Sequence, residues 1–204
     1  MLSLRDEGAH NINLVTPTHF SDSVAHALES VKHKLGIPVI YNTSGYDSQE
    51  TLHTLDGLVD VYLPDFKYAS SELAGAYSNA PDYPEVAEKA ISEMFSQTGG
   101  VRFDKDGMIQ KGVIVRHLVL PSCRKDSFAV LESLRKLLPV SQIRLSLMSQ
   151  YTPEFALDCE FKNLHRRVTS FEYSSVLERA ISLGFEGYFQ ERSSASDKYT
   201  PDFN

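Results

Sequence analysis

The chain has 204 residues, enough for one sizeable core, and carries 20 Lys and Arg against 27 Asp and Glu for a formal charge of -7. That acidic balance excludes the broad basic surface needed to neutralise many phosphates, so nucleic acid is not expected as a partner. With Cys123 and Cys159 as its only cysteines, no apolar run near membrane-spanning length and no signal peptide in "MLSLRDEGAH", it reads as a reduced, cytoplasmic protein without a membrane partner.

Residues 1–8 read as the closing turns of a helix stopped by Gly8, and "NINLVTPTH" (11–19) as a strand running into the polar Thr16, Thr18 and His19. "SDSVAHALESVKHKLG" (21–36) offers Ser or Asp as N-cap, spaces Val24, Leu28, Val31 and Leu35 as a helix does, and stops at Gly36. A second strand, "IPVIYNTSG" (37–45), and a short helix, "SQETLHTLDG" (48–57), follow. Next comes "VDVYLPDFKY" (59–68), where alternation puts Val61, Leu63, Asp65 and Lys67 on one face and Tyr62, Pro64, Phe66 and Tyr68 on the other. One face thus begins apolar and ends in an acid and a base. Two readings stand side by side: a buried strand whose carboxyl end opens into a site, and an ion pair on a rim that contributes little.

"YPEVAEKAISEMFSQTGG" (83–100) is a longer helix ended by Gly99 and Gly100, and residues 101–112 hold a hairpin signal at Asp106-Gly107. "VIVRHLVLPS" (113–122), the most continuous apolar run, is predicted as a central strand. A helix at about 125–138, a strand at "SQIRLSLMSQY" (141–151), a helix at about 172–184 and a strand at "FEGYFQE" (185–191) complete the order. Residues 1–191 form one unit on this reading, and 192–204, with too little apolar content to pack, form a flexible tail.

Strands rich in Val, Ile and Leu that alternate with helices predict an α/β fold with a parallel sheet. If the sheet curls into a partial barrel, the polar strand ends collect at one mouth: Thr16 to His19, Tyr41 to Ser44, Asp65 with Lys67, Arg116 with His117, and Gln150 with Tyr151. A lone His19 or His117 is more often a satisfied structural histidine than a catalytic one; the repetition at strand after strand is what favours a site.

In order, "INLVTPTH", "VIYNTSGY", "VDVYLPDFKY", "VIVRHLVLPS" and "RLSLMSQYTP" resemble successive strands of radical S-adenosylmethionine enzymes of the pyruvate formate-lyase activating type. Within that group they are most similar to a branch of uncharacterised iron-sulfur proteins. The resemblance implies a partial (β/α) barrel of the TIM type, adenosylmethionine as cofactor, and hydrogen abstraction from a substrate such as a backbone glycine of a glycyl-radical enzyme. It implies that Lys67 meets the cofactor carboxylate and that Asp65 helps to hold a monovalent cation beside it. The loop 42–45 would add cation ligands, with Asn42 where the family has an acid. Thr16 and Thr18 fall where many members have a Gly-Gly-Glu turn for the cofactor's amino group, and would offer hydroxyl acceptors instead. Arg116 corresponds to an arginine that reaches cofactor or substrate, and Gln150 and Tyr151 to adenine and ribose contacts.

One departure is large. The family holds its 4Fe-4S cluster on a Cys-x3-Cys-x2-Cys loop after the first strand, and this chain has no such loop; 35 residues separate Cys123 from Cys159. The expectation is therefore a carboxyl-terminal part of a radical enzyme, lacking the first strand and the cluster segment and inactive alone. Such a chain would leave "INLVTP" as an apolar edge, prone to self-association or to pairing with a strand supplied by the missing segment. Two other classes fit the same residues: a non-catalytic module binding adenosylmethionine or a nucleoside, and a lyase forming a Schiff base on Lys67.

Overall fold

The computed structural model describes residues 1–156 and 159–190. Along them run α1 (Leu2–Asp6), β1 (Ile12–Val15), α2 (Ser21–Leu35), β2 (Val39–Thr43), α3 (Gln49–Thr54), β3 (Val61–Pro64) and α4 (Ser71–Ser78). Then follow α5 (Tyr83–Thr98), β4 (Arg102–Phe103), β5 (Ile109–Leu118), α6 (Arg124–Leu137), β6 (Arg144–Met148), α7 (Ser170–Ser182) and β7 (Gly187–Phe189). The seven strands make one sheet in the order β1-β2-β3-β5-β6-β7, with β4 set beside β5. Every pairing is parallel except that of β4. This is an α/β fold, a partial TIM-type barrel, and β1 stands at its edge. No helix among the described residues is long and apolar enough to cross a membrane.

Alternation along the strands assigns each side chain to one of two faces. Tyr41, Tyr62, Val113, Val115, Leu145 and Leu147 turn toward the helices and form one core with Ile91 and Met94 of α5, Leu131 and Leu134 of α6, and Val176 of α7. Burying a large apolar side chain contributes about 1.5–3 kcal/mol, so this face carries most of the stability. A smaller cluster joins Ile12 and Val39 to Leu28 and Leu35 of α2, with Met1 and Leu2 of α1 packed on it. Arg5 also donates to the Lys34 carbonyl, which fixes α1 to the end of α2. The opposite face buries Val61 and Ile114 toward the amino ends of the strands and opens toward their carboxyl ends. It presents Val15, Asn42, Leu63, Asp65 and Arg116, and Val15 is 66% exposed.

Caps set the helix limits. Ser48, Ser70 and Thr169 each accept a backbone N–H in the first turn, and Glu172 completes a capping box with Thr169. Gly36 closes α2 in the left-handed region, φ 64°. Helix α4 has no counterpart in the sequence-based order; it is short, with Gly75 in its interior, and is fixed by the Ser70 cap and a left-handed Asn79. Strand β5 begins at Ile109, earlier than expected, because β4 pairs with it across the hairpin of Gly107. The tail expected at 192–204 lies outside the described residues.

Candidate functional site

Just past β3, Asp65 still bridges to β5 in the parallel sense, and burial alternates from there, Asp65 and Lys67 partly exposed and Phe66 and Tyr68 buried. Asp65 and Arg116 face each other as an isolated bridge between the β3 extension and β5. The Arg116 guanidinium donates from Nη2 to Asp65 Oδ1 at 2.7 Å, with side-chain exposures of 25% and 20%. Burial pushes the Asp65 carboxyl up from its ordinary range, and the charges of Arg116 and Lys67 offset part of that rise. Arg116 Nε is buried and has no hydrogen-bond partner among the described residues. A buried donor left unmet costs about 1–3 kcal/mol, so this atom marks unused binding capacity beside the ion pair.

The backbone under these side chains is held from the helix side. Phe66 N–H donates to the Arg116 carbonyl, and the Phe66 carbonyl accepts from His117 Nδ1 at 2.7 Å. Lys67 N–H donates to the Tyr83 hydroxyl, and Ala69 and Ser70 N–H groups donate to Asp126. His117 is therefore a satisfied core residue whose second nitrogen meets Ser127 Oγ.

The other sequence-predicted residues spread along the same rim. Thr16 closes β1 with φ 51°, a left-handed conformation that a β-branched residue adopts at a cost of roughly 1–3 kcal/mol, and its N–H donates to the Asn42 carbonyl. Asn42 is level with Val15 and Leu63 on the open face. The Thr18 hydroxyl is committed to Asp47 at 2.8 Å, and Thr43 donates to the other Asp47 oxygen. Gln150 accepts from Gln190, and Tyr151 donates to the Leu164 carbonyl, so both belong to the β6–β7 side. The structure thus brings Asp65, Lys67 and Arg116 together, with Asn42 below them on the same face, and leaves Thr18, Gln150 and Tyr151 in contacts of their own.

Two residues of this region escaped the sequence reading: Asp47, 1% exposed at the turn after β2, and Tyr83, 3% exposed at the start of α5. The Asp47 signal is a lone acid just past Gly45 in "TSGYD"; Tyr83 carries none, because its role depends on which strand end α5 happens to cover.

A thiolate-held cluster does not fit the residues present. Among the described residues no group of three or more His, Cys, Asp and Glu is placed to hold a metal ion. Cys123 lies 3.9 Å from the Tyr77 hydroxyl, and Cys159 lies 3.8 Å from His165 Nε2. At the carboxyl end of the strands a guanidinium, a neighbouring ammonium and a carboxylate stand together, a donor and acceptor set whose chemistry suits a ligand bearing both a carboxylate and an ammonium.

No protein-family model matches the chain. Among curated proteins it is similar to an uncharacterised protein, MJ0674, of Methanocaldococcus jannaschii, with 29% identity over 176 residues, 83% of this chain and 46% of that protein. The chain thus spans about half the length of the curated relative it matches. Among solved structures it is similar to a domain of pyruvate-formate lyase-activating enzyme from Bacteroides vulgatus, with a TM-score of 0.59, 14% identity, and coverage of 89% of this chain and 98% of that one. A radical SAM methyltransferase from Sphaerobacter thermophilus gives a TM-score of 0.60 and 14% identity, covering 93% of this chain and 53% of that one. At such identity the likeness is one of fold: the chain has the fold of radical SAM enzyme domains.

Proposed function

We propose that this chain is the adenosylmethionine-holding part of a radical enzyme of the pyruvate formate-lyase activating type, its iron-sulfur centre furnished by polypeptide outside these residues. The observation that carries the reading is the Asp65–Lys67–Arg116 group on the open face at the carboxyl end of the parallel strands, where α/β folds place their ligands. The Lys67 ammonium and the Arg116 guanidinium receive the cofactor carboxylate. Asp65 orients Arg116 through one oxygen and offers the other to the cofactor's ammonium or to a monovalent cation. Asn42 and Thr16 flank this end.

Adenosylmethionine bound against a reduced cluster supplies hydrogen-abstraction chemistry, with a glycine of a glycyl-radical enzyme or another protein substrate as the hydrogen donor. The share of this chain is to hold the cofactor's charged end in place and in one orientation.

Calorimetric titration of adenosylmethionine into the chain tests this. Binding is expected, and Lys67→Ala should weaken it by about 1.5–3 kcal/mol, the range for hydrogen bonds to charged groups. No binding by the wild type, or an unchanged affinity in the variant, would overturn the assignment. With iron and sulfide added, the chain alone should form no stable 4Fe-4S centre and should not cleave the cofactor reductively. Cleavage that begins once the cluster-bearing segment is supplied separates the enzyme from a pure binding module.

A further inference from the structure

The β2–β3 ladder stops one rung too early for the residues that matter. Its last backbone bond is Asp65 N–H to the Thr43 carbonyl at 3.0 Å. In a parallel ladder the next rung would come from residue 45, which would accept from Lys67 N–H and donate to the Asp65 carbonyl. Strand β2 has turned away by then. Gly45 sits at φ 77°, and a Cβ built on it would lie 2.1 Å from the Asp65 carbonyl oxygen, so the loop crosses the β3 extension at a distance that only glycine permits.

The Tyr83 hydroxyl takes up both halves of the vacant rung. It accepts from Lys67 N–H at 3.0 Å and lies 2.9 Å from the Asp65 carbonyl, to which it donates. The Ser44 carbonyl, also at 2.9 Å, is an alternative acceptor for the same single proton, so one phenol joins the loop after β2 to the extension of β3. The ring has little freedom. It stacks on Tyr46 at a centroid distance of 5.9 Å and meets the edge of Tyr68 at 5.7 Å, while the Tyr46 hydroxyl is anchored on Asp82 at 2.8 Å. Burial pushes the Tyr83 hydroxyl well above its ordinary value, so it stays protonated and remains a donor.

We infer that Tyr83 is the positioning residue for Lys67: by standing in for a β-strand partner it keeps residues 65–67 extended, so that Lys67 alternates back onto the face of Asp65 and Arg116. Without it, Lys67 N–H and the Asp65 carbonyl would lose their partner and the side chain its fixed direction. The inference rests on the proposed cofactor site for its functional consequence, but its structural half stands alone.

A mutant cycle tests it. Tyr83→Phe keeps the ring and its stacking and removes only the hydroxyl, and it should weaken adenosylmethionine binding by about tenfold, part of the worth of a charged hydrogen bond. In a Lys67→Ala background the same change should have almost no further effect on affinity, because the tyrosine acts through that lysine. A purely structural role would give additive losses, and additivity, or an unchanged affinity in Tyr83→Phe, would overturn the inference.

If the wild type binds no adenosylmethionine, the function proposed above fails, and the positioning is then read by hydrogen exchange. The Lys67 amide should lose more protection in Tyr83→Phe than the β3 and β5 core amides, whose exchange follows only the overall change in stability; a loss no larger than theirs would refute it. Should that variant not fold, the wild-type Lys67 amide still decides. Protection comparable to the β3 amides supports the stand-in rung, and exchange at a loop rate removes it.

Discussion

Arg116 and His117 are neighbours on β5, yet alternation sends them to opposite faces and gives them opposite fates. His117 faces the helices, 2% exposed, with both ring nitrogens used: Nδ1–H donates to the Phe66 carbonyl, and Nε2 accepts from Ser127. Arg116 faces the open side, is ion-paired with Asp65, and keeps an Nε with no partner among the described residues. The packed face uses up its polar groups on the protein itself; the open face has some left over. That surplus separates a ligand-facing charge from a structural one at adjacent positions of a single strand.

The largest expected contrast tests whether the open face is really free of packing. Phe66 is fully buried among the helices, and Phe66→Ala should cost about 3–5 kcal/mol in urea unfolding. Val15, 66% exposed on the open face, should lose no more than about 0.5 kcal/mol on Val15→Ala. Comparable losses at the two positions would mean that something covers the open face, and the contrast would collapse.

A second test uses the titration of His117. Burial lowers its pKa from 6.5 to about 4, the Phe66 carbonyl opposing only part of that shift. The folded state therefore favours the neutral ring. Its contribution is fully present above about 6.5 and is lost as pH falls toward about 4, because the unfolded chain takes up the proton first. The loss amounts to about 3 kcal/mol across the window, at about 1.4 kcal/mol per pKa unit. Unfolding measured through this range in the wild type and in His117→Gln isolates it: the difference between the two should shrink as pH falls, and a constant difference would show that the ring is not held neutral.

Much of this was legible in the sequence, and the reasons differ from place to place. The β3 face pattern in "VYLPDFKY" was readable because strand alternation is geometric, and Asp65 and Lys67 do share the open face with Arg116. The stop of α2 at Gly36 was readable because the left-handed cap needs a residue without Cβ. Thr18 looked like a free hydroxyl, since nothing local shows that Asp47, 29 positions away, will claim it. Helix α4 was missed because its apolar period is broken by Gly75 and its definition comes from two capping residues. Tyr83 could not be found at all from spacing: its function is to fill a rung left vacant by a strand that turns away.

The smallest expected effect is at the ion pair itself, and it is the most discriminating. Asp65 has its carboxyl pushed up by burial, more than Arg116 and Lys67 pull it down. For an acid this sign means that the fold disfavours the ionised form: its charge costs stability at neutral pH, and the cost is relieved as pH falls through the folded value. Asp65→Asn removes that cost and keeps an amide oxygen to meet Arg116, whose side chain is 25% exposed and can also reach water. The change in unfolding free energy near neutral pH should therefore stay within about 1 kcal/mol and can be favourable, as with other replaced buried charges. The variant should also lose the gain in stability on acidification that the wild-type carboxyl provides, opposite in sign to the loss at His117. A destabilisation of about 3–5 kcal/mol, the cost of breaking a structural buried pair, would place Asp65 and Arg116 with the packed face and leave the proposed site resting on Lys67.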